Sequence, residues 1–209
     1  GFASDDLGSF YLDILKDRLY TTQTKGLPRR SAQTALWHIT ASFLRLMAPI
    51  LSFTAEEAFA IFSPNASGTV FTELYHELPP IDGKEALLAK WAQIRTVRGE
   101  VLKKIEELRT AGQIGSSLQA EAVIAAPVDT YNVLASLGDE LRFVTMTSKA
   151  TLNEAEDEKL TVTVTKSHEK KCARCWHYVP GVGADAAHPE ICPRCCLNLF
   201  GSGETRRFA

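Results

Sequence analysis

The chain has 209 residues, 45% hydrophobic and 23% charged, with a formal net charge of −2. That length suffices for one large domain or two smaller ones, and the near-neutral balance excludes a protein that binds polyanions through bulk charge. No apolar run approaches the roughly 18 residues of a membrane span, and Gly1-Phe2-Ala3-Ser4-Asp5-Asp6 has neither region of a secretory signal. The opening lacks a methionine and enters a helix at once, as expected of a piece of a longer protein.

Leu7, Phe10, Tyr11, Ile14, Leu15 and Leu19 recur at three- and four-residue spacing behind an acidic start at Ser4-Asp5-Asp6, which predicts a first helix. Lys16-Asp17-Arg18 reads as an ordinary polar face of it with intrahelical pairs. After the break at Lys25-Gly26-Leu27, Pro28 suits the first turn of a second helix running to Met47 and ended by Pro49. Thr54 and Glu57 have capping-box spacing, placing the start of a third helix at Thr54. Residues 63–68 form a loop. Residues 83–110 carry the longest apolar stripe, Leu87, Leu88, Trp91, Ile94, Val101, Leu102, Ile105 and Leu108, closed by Gly112. Trp37 and Trp91 are expected in the core, and His38 as a satisfied half-buried side chain.

The pattern then changes. Residues 119–126, 141–147 and 160–165 read as strands, with a brief helix at 130–137 and an acidic turn from Glu154 to Glu158. The tail from Lys166 is rich in Gly and Pro and poor in periodic apolar residues, so it needs a metal to order it. The expected architecture is mainly α: a helical bundle over 1–112, a small α+β subdomain over 113–165, and a C-terminal zinc-binding module over 166–209.

All five cysteines follow residue 171. None can staple the preceding chain, so the pattern is not a disulfide framework, and a reducing, cytoplasmic setting is expected. Cys172-Ala-Arg-Cys175 and Cys192-Pro-Arg-Cys195 are two Cys-x-x-Cys knuckles separated by sixteen residues. Soft thiolates at this spacing suit one tetrahedral Zn²⁺ with no open position, hence a structural ion, one per chain. A redox motif would need only one knuckle, in a strand-to-helix setting. Cys196 could exchange with Cys195 as fourth ligand, and His177 and His188 are the alternates. In zinc-finger peptides the metal supplies ~10–16 kcal/mol of apparent free energy, more than this tail gains by packing.

Residues 166–209 carry seven basic and four acidic groups. Lys171, Arg174, Trp176, Arg194, Arg206 and Arg207 are candidates for RNA contact, because unpaired bases stack on aromatic or guanidinium planes while cations take phosphates. Trp176 is either such a platform or a large apolar residue packed under the metal module. Arg174 and Arg194 hold matching knuckle positions and could face RNA, the thiolates or solvent. Arg29 and Arg30 open the second helix, where guanidiniums and free N–H groups make a phosphate site, unless both are merely solvated. No phosphate loop, carboxylate cluster or nucleophile motif is found, so no catalytic residue is assigned.

Phe10-Tyr-Leu-Asp-Ile-Leu-Lys-Asp-Arg-Leu-Tyr20, Arg29-Arg-Ser-Ala-Gln-Thr-Ala35 and Ala48-Pro-Ile-Leu-Ser-Phe-Thr-Ala-Glu-Glu57 resemble the anticodon-binding helical domain of bacterial isoleucyl-tRNA synthetases. Ile114-Gly-Ser-Ser-Leu-Gln-Ala-Glu121 resembles the junction that follows it. Lys171-Cys-Ala-Arg-Cys-Trp-His-Tyr178, Glu190-Ile-Cys-Pro-Arg-Cys195 and Gly203-Glu-Thr-Arg-Arg-Phe-Ala209 resemble that family's zinc module. The resemblance implies a parent enzyme that uses ATP and Mg²⁺ to load isoleucine onto its tRNA, with the four knuckle cysteines carried over and Cys196 standing where an apolar residue is expected. Its His-Ile-Gly-His and Lys-Met-Ser-Lys-Ser signatures and its editing domain are absent here. The partners so implied are the anticodon region of isoleucine tRNA and the remainder of the synthetase, with no membrane and a monomeric state. Two other readings compete: a zinc-dependent protein-docking module, and a DNA glycosylase-type zinc finger, whose expected Pro-Glu start is not Gly1-Phe2.

Overall fold

Seven α-helices and one three-stranded sheet make up the chain, and the computed structural model describes all 209 residues. Phe2–Leu12 winds as a π-helix and runs on into α1 (Asp13–Thr21). Then come α2 (Leu27–Met47), α3 (Ser52–Phe62), α4 (Lys84–Thr110), β1 (Ala120–Ala126), α5 (Val128–Ala135), α6 (Leu141–Val144), β2 (Lys149–Glu154), β3 (Thr161–Lys166) and α7 (Pro193–Phe200). No helix is long and apolar enough to cross a membrane. Internal contacts divide the chain into two units, residues 30–82 and residues 1–29 with 83–209.

Residues 30–82 hold a small core of Ala48, Ala55, Phe59 and Val70, with Leu44 against it. α3 begins at Ser52, not at the predicted Thr54, and no side chain caps it. The cause is the turn before it: the amides of Ile50 and Leu51 both bond back to the Met47 carbonyl, so Leu51 already accepts the first helical bond, from Ala55. Glu56 instead ties down the following loop, accepting from Thr69 Oγ1 (2.6 Å) and the Val70 amide (2.9 Å). Trp37, predicted to be core, is 51% exposed. It stands edge-on to His38 and His76, whose Nδ1 and Nε2 lie 2.9 Å apart. His38 is thus half-buried and satisfied, as expected.

In the larger unit α4 presents Ile94, Val97, Val101 and Ile105 to the core, and Trp91 packs beside them on Phe10. Leu87 and Leu88, predicted to share this stripe, are exposed. Gly112 closes the helix with φ +69° while Gln113 donates to the Leu108 carbonyl, the left-handed stop that glycine allows without penalty. β1 is the central strand, parallel to β2 (Val123 opposite Thr151) and antiparallel to β3 (Val123 opposite Thr163). A parallel pair needs a long crossover, supplied by α5 and α6.

Residues 141–147 were expected as a strand and are not one. Leu141, Phe143 and Val144 are all buried, without the alternation of a strand, and the helix ends in a tight turn with Met146 at φ +56°. Periodicity does not separate a short buried helix from a strand. The true strand, Lys149–Glu154, is polar because it is an edge strand with a mostly solvated face.

Candidate metal centre and its surroundings

The chain brings Cys172, Cys175, Cys192 and Cys195 together, buried, with all four sulfurs within 4.8 Å of one another. Cys172 and Cys175 lie in a turn closed by the Lys171–Tyr178 bridge and by the Cys172 amide on the His177 carbonyl (2.9 Å). Cys192 flanks the N-terminus of α7 and Cys195 sits in its first turn, after Pro193. A helix N-terminus favours thiolates. The Cys172–Cys195 and Cys175–Cys192 sulfur separations are 3.7 and 3.8 Å, which matches the edge of ~3.8 Å that a tetrahedron with Zn–S bonds of ~2.3 Å must have. Hydrogen bonds from Cys175 and Cys195 hold the Cys192 thiol down, while those from Cys175 and Cys192 push Cys195 up. A divalent cation accepting four thiolates removes that inequality. Cys196 lies outside the cluster, His177 faces Asp17 (3.6 Å) and His188 stacks on Phe200. The donors therefore fit one closed zinc ion.

Three of the predicted RNA-contacting arginines are committed inside the fold. Arg174 donates to the carbonyls of Thr21 (2.6 Å) and Tyr20 (3.3 Å) at the end of α1, and to Cys195 Sγ (3.7 Å). Arg194 grips Asp17 with both Nη atoms at 2.8 Å and reaches Glu204 (3.2 Å). Arg206, its side chain 1% exposed, bonds Asp17 (2.8 Å) and lies over the Phe143 ring, 3.5 Å from its centre. Burial by itself raises the Asp17 carboxyl, but the hydrogen bonds and charge of Arg194, the approach of His177 at 3.6 Å and the charge of Arg206 outweigh it and hold it well below the usual range.

The polar helix face with intrahelical pairs predicted at Lys16-Asp17-Arg18 therefore holds for Lys16 and fails for Asp17 and Arg18. Only Lys16 pairs within its helix, with Asp13 (2.7 Å). Arg18 turns inward to the Ala209 carbonyl (3.2 Å), near Glu140. Glu140 in turn accepts the amides of Arg207, Phe208 and Ala209 at 2.6–2.8 Å. Asp17 and Glu140 were the residues missed. The only sequence signal was a surplus of arginines in the tail, and Asp17 stands 177 positions from Arg194.

Trp176, Lys171 and Arg207 remain exposed. Trp176 is 60% exposed, which overturns the alternative that it packs under the metal, and its backbone is left-handed at φ +66°. Lys171 Nζ lies 5.5 Å from the centre of its ring. Beside it opens a cleft of about 520 Å³, walled by Tyr20 and Trp176, with Ile14, Leu118, Phe143 and Met146 in its lining. Arg29 is half-buried and Arg30 exposed, both in the first turn of α2.

Residues 1–124 match the family described as the anticodon-binding domain of tRNA ligase, and residues 169–196 that described as a zinc finger found in FPG and IleRS. The chain is 58% identical to an isoleucine–tRNA ligase of Bordetella petrii over 98% of its length, and 55% identical to that of Azoarcus sp. over 100%. That of Janthinobacterium sp. is 56% identical over 100%. The chain spans 22% of the length of each of these relatives. The four-sulfur cluster is a structural zinc site of this finger family.

Proposed function

Because the chain belongs to the anticodon-binding domain family of tRNA ligases, we propose that it is the part of an isoleucine–tRNA ligase that holds the anticodon stem and loop of isoleucine tRNA. In this reading residues 1–112 are the helical anticodon-binding part, 113–165 the junction and 166–209 the zinc module. Activation of isoleucine with ATP and Mg²⁺ belongs to the remainder of the ligase, which is the second partner. This segment contributes binding and no chemistry.

One observation carries the reading. Trp176 occupies a left-handed backbone position that costs a side-chain-bearing residue ~1–2 kcal/mol and costs glycine nothing. Its ring is mostly in solvent, so burial does not offset that cost. An exposed indole with a lysine ammonium over it is instead suited to an unpaired base and its phosphate. Arg207 adds an exposed cation, and Arg29 and Arg30 a helix N-terminus. Arg174, Arg194 and Arg206 are withdrawn from the set, since RNA would have to displace buried partners to reach them. Their internal pairing docks the tail on α1 yet leaves Trp176 and Lys171 open, so docking and RNA contact coexist.

The test is filter binding of an isoleucine tRNA transcript to the chain. Affinity is expected to exceed that for an unrelated tRNA and to fall with salt, as phosphate contacts release counterions. Equal affinity for both tRNAs refutes the proposal.

A further inference from the structure

We propose that Asp17 is a positioning residue for tRNA: its contacts with the tail set the zinc module at one orientation on α1, so that Trp176 faces Tyr20 across a cleft of fixed width. The proposal rests on Trp176 being an RNA platform, and adds what places that platform.

Three separate pieces of the tail converge on this one carboxylate. Arg194 comes from the second knuckle with two parallel bonds of 2.8 Å, Arg206 from the last stretch at 2.8 Å, and His177 from just after the first knuckle at 3.6 Å. A two-pronged guanidinium–carboxylate pair constrains angle as well as distance. The side chains involved are little exposed, Asp17 at 14% and Arg194 at 13%, so salt and water do not loosen the pair as they would at a surface. Arg174 adds a fourth tie to the carbonyls that end α1. The zinc ion would close the knuckles on themselves through the four sulfurs, and Asp17 is not among its ligands. What Asp17 adds is where the finished module sits. That placement matters to the cleft, because Asp13, Lys16 and Tyr20 on one side belong to α1 and Trp176 on the other belongs to the module. A base that leaves its stack binds best when both walls already stand at the right separation.

A double-mutant cycle on the 209-residue chain, with an isoleucine tRNA transcript as probe, tests this. Trp176→Ala should weaken binding about tenfold, the loss of one stacked base. Asp17→Glu keeps the charge and moves it by one methylene. It should weaken binding roughly three- to tenfold while zinc stays at one per chain, and should have less than about a twofold effect when Trp176 is already alanine. Arg194→Lys keeps the charge but gives up the two-pronged geometry, and should show the same non-additivity from the other partner. Additive losses overturn the proposal, as does normal binding by both Asp17→Glu and Arg194→Lys while Trp176→Ala binds weakly. Loss of zinc from both variants also overturns it, since Asp17 would then belong to the folding of the module. Normal binding by Trp176→Ala is a separate failure, of the platform reading, and takes this inference with it.

Discussion

Residues 30–82 and the tail from residue 166 are ordered by opposite means. The first is rich in large apolar side chains and leaves many outside: Phe53 is 92% exposed, and Ile50, Ile61 and Leu74 are nearly as open. Its core is two alanines, one phenylalanine and one valine. The tail has few such side chains, yet it closes around four sulfurs and sinks Arg206 and Arg194 against Asp17 and Phe143. The contrast teaches that hydrophobic composition measures how much apolar surface a segment owns and not how well the segment is closed. A metal and a satisfied buried charge network close what the hydrophobic effect alone would leave open.

The sharpest way to break that comparison is to take the zinc away. Chelation, or Cys172→Ser, removes an interaction worth ~10–16 kcal/mol in zinc-finger peptides. Zinc content should fall from one to none and the tail should become open to protease, while the core on α4 keeps its far-ultraviolet dichroism. Next in size is Asp17→Ala, which takes a shared partner from the guanidiniums of Arg194 and Arg206 and leaves them Glu204 at 3.2 and 3.5 Å; the lost charge-assisted bonds should cost about 1.5–3 kcal/mol in urea unfolding. A cost below about 1 kcal/mol would show that the ion pairs do not hold the tail. Trp176→Gly should weaken tRNA binding by about 1–3 kcal/mol, yet leave the thermal midpoint of the tail unchanged or raised, because glycine relieves the left-handed backbone. Phe53→Ser sharpens the other half: deleting an exposed aromatic should move stability by no more than about 0.5 kcal/mol, whereas a core phenylalanine would cost several times that.

The smallest effect is the pH dependence near neutrality. Asp17 has its carboxyl depressed in the folded state, so the stability it provides is complete above the unfolded value of about 4 and is lost only as pH falls through the lower folded value. The difference in urea midpoint between the zinc-loaded parent and Asp17→Asn should stay constant between pH 5 and 8. A difference between parent and Asp17→Asn that grows across that window would contradict the assignment.

Much was legible from neighbours along the chain. Two-residue cysteine spacing announced the metal set, Gly112 announced the end of α4, and quoted segments from residue 10 to residue 209 carried the family resemblance. Each of these depends on chemistry within a few residues, where spacing and backbone preference are nearly the whole of the physics. The helix at 141–144 was not legible, since a short run buried on every side carries no period.

Nor did spacing tell one arginine from another. Arg174 and Arg194 occupy equivalent knuckle positions, and which surface lies opposite each was decided by folding. The tail settles on α1, more than 150 positions away, with Asp17 and the end of the helix facing them. Lys171, Trp176 and Arg207 were left in water by the same event. The sequence by itself determined the metal site and the helical plan; tertiary structure decided which charges are structural and which are free. The reason is that a charge keeps or loses its solvent according to what the rest of the chain brings against it, and no local pattern records that.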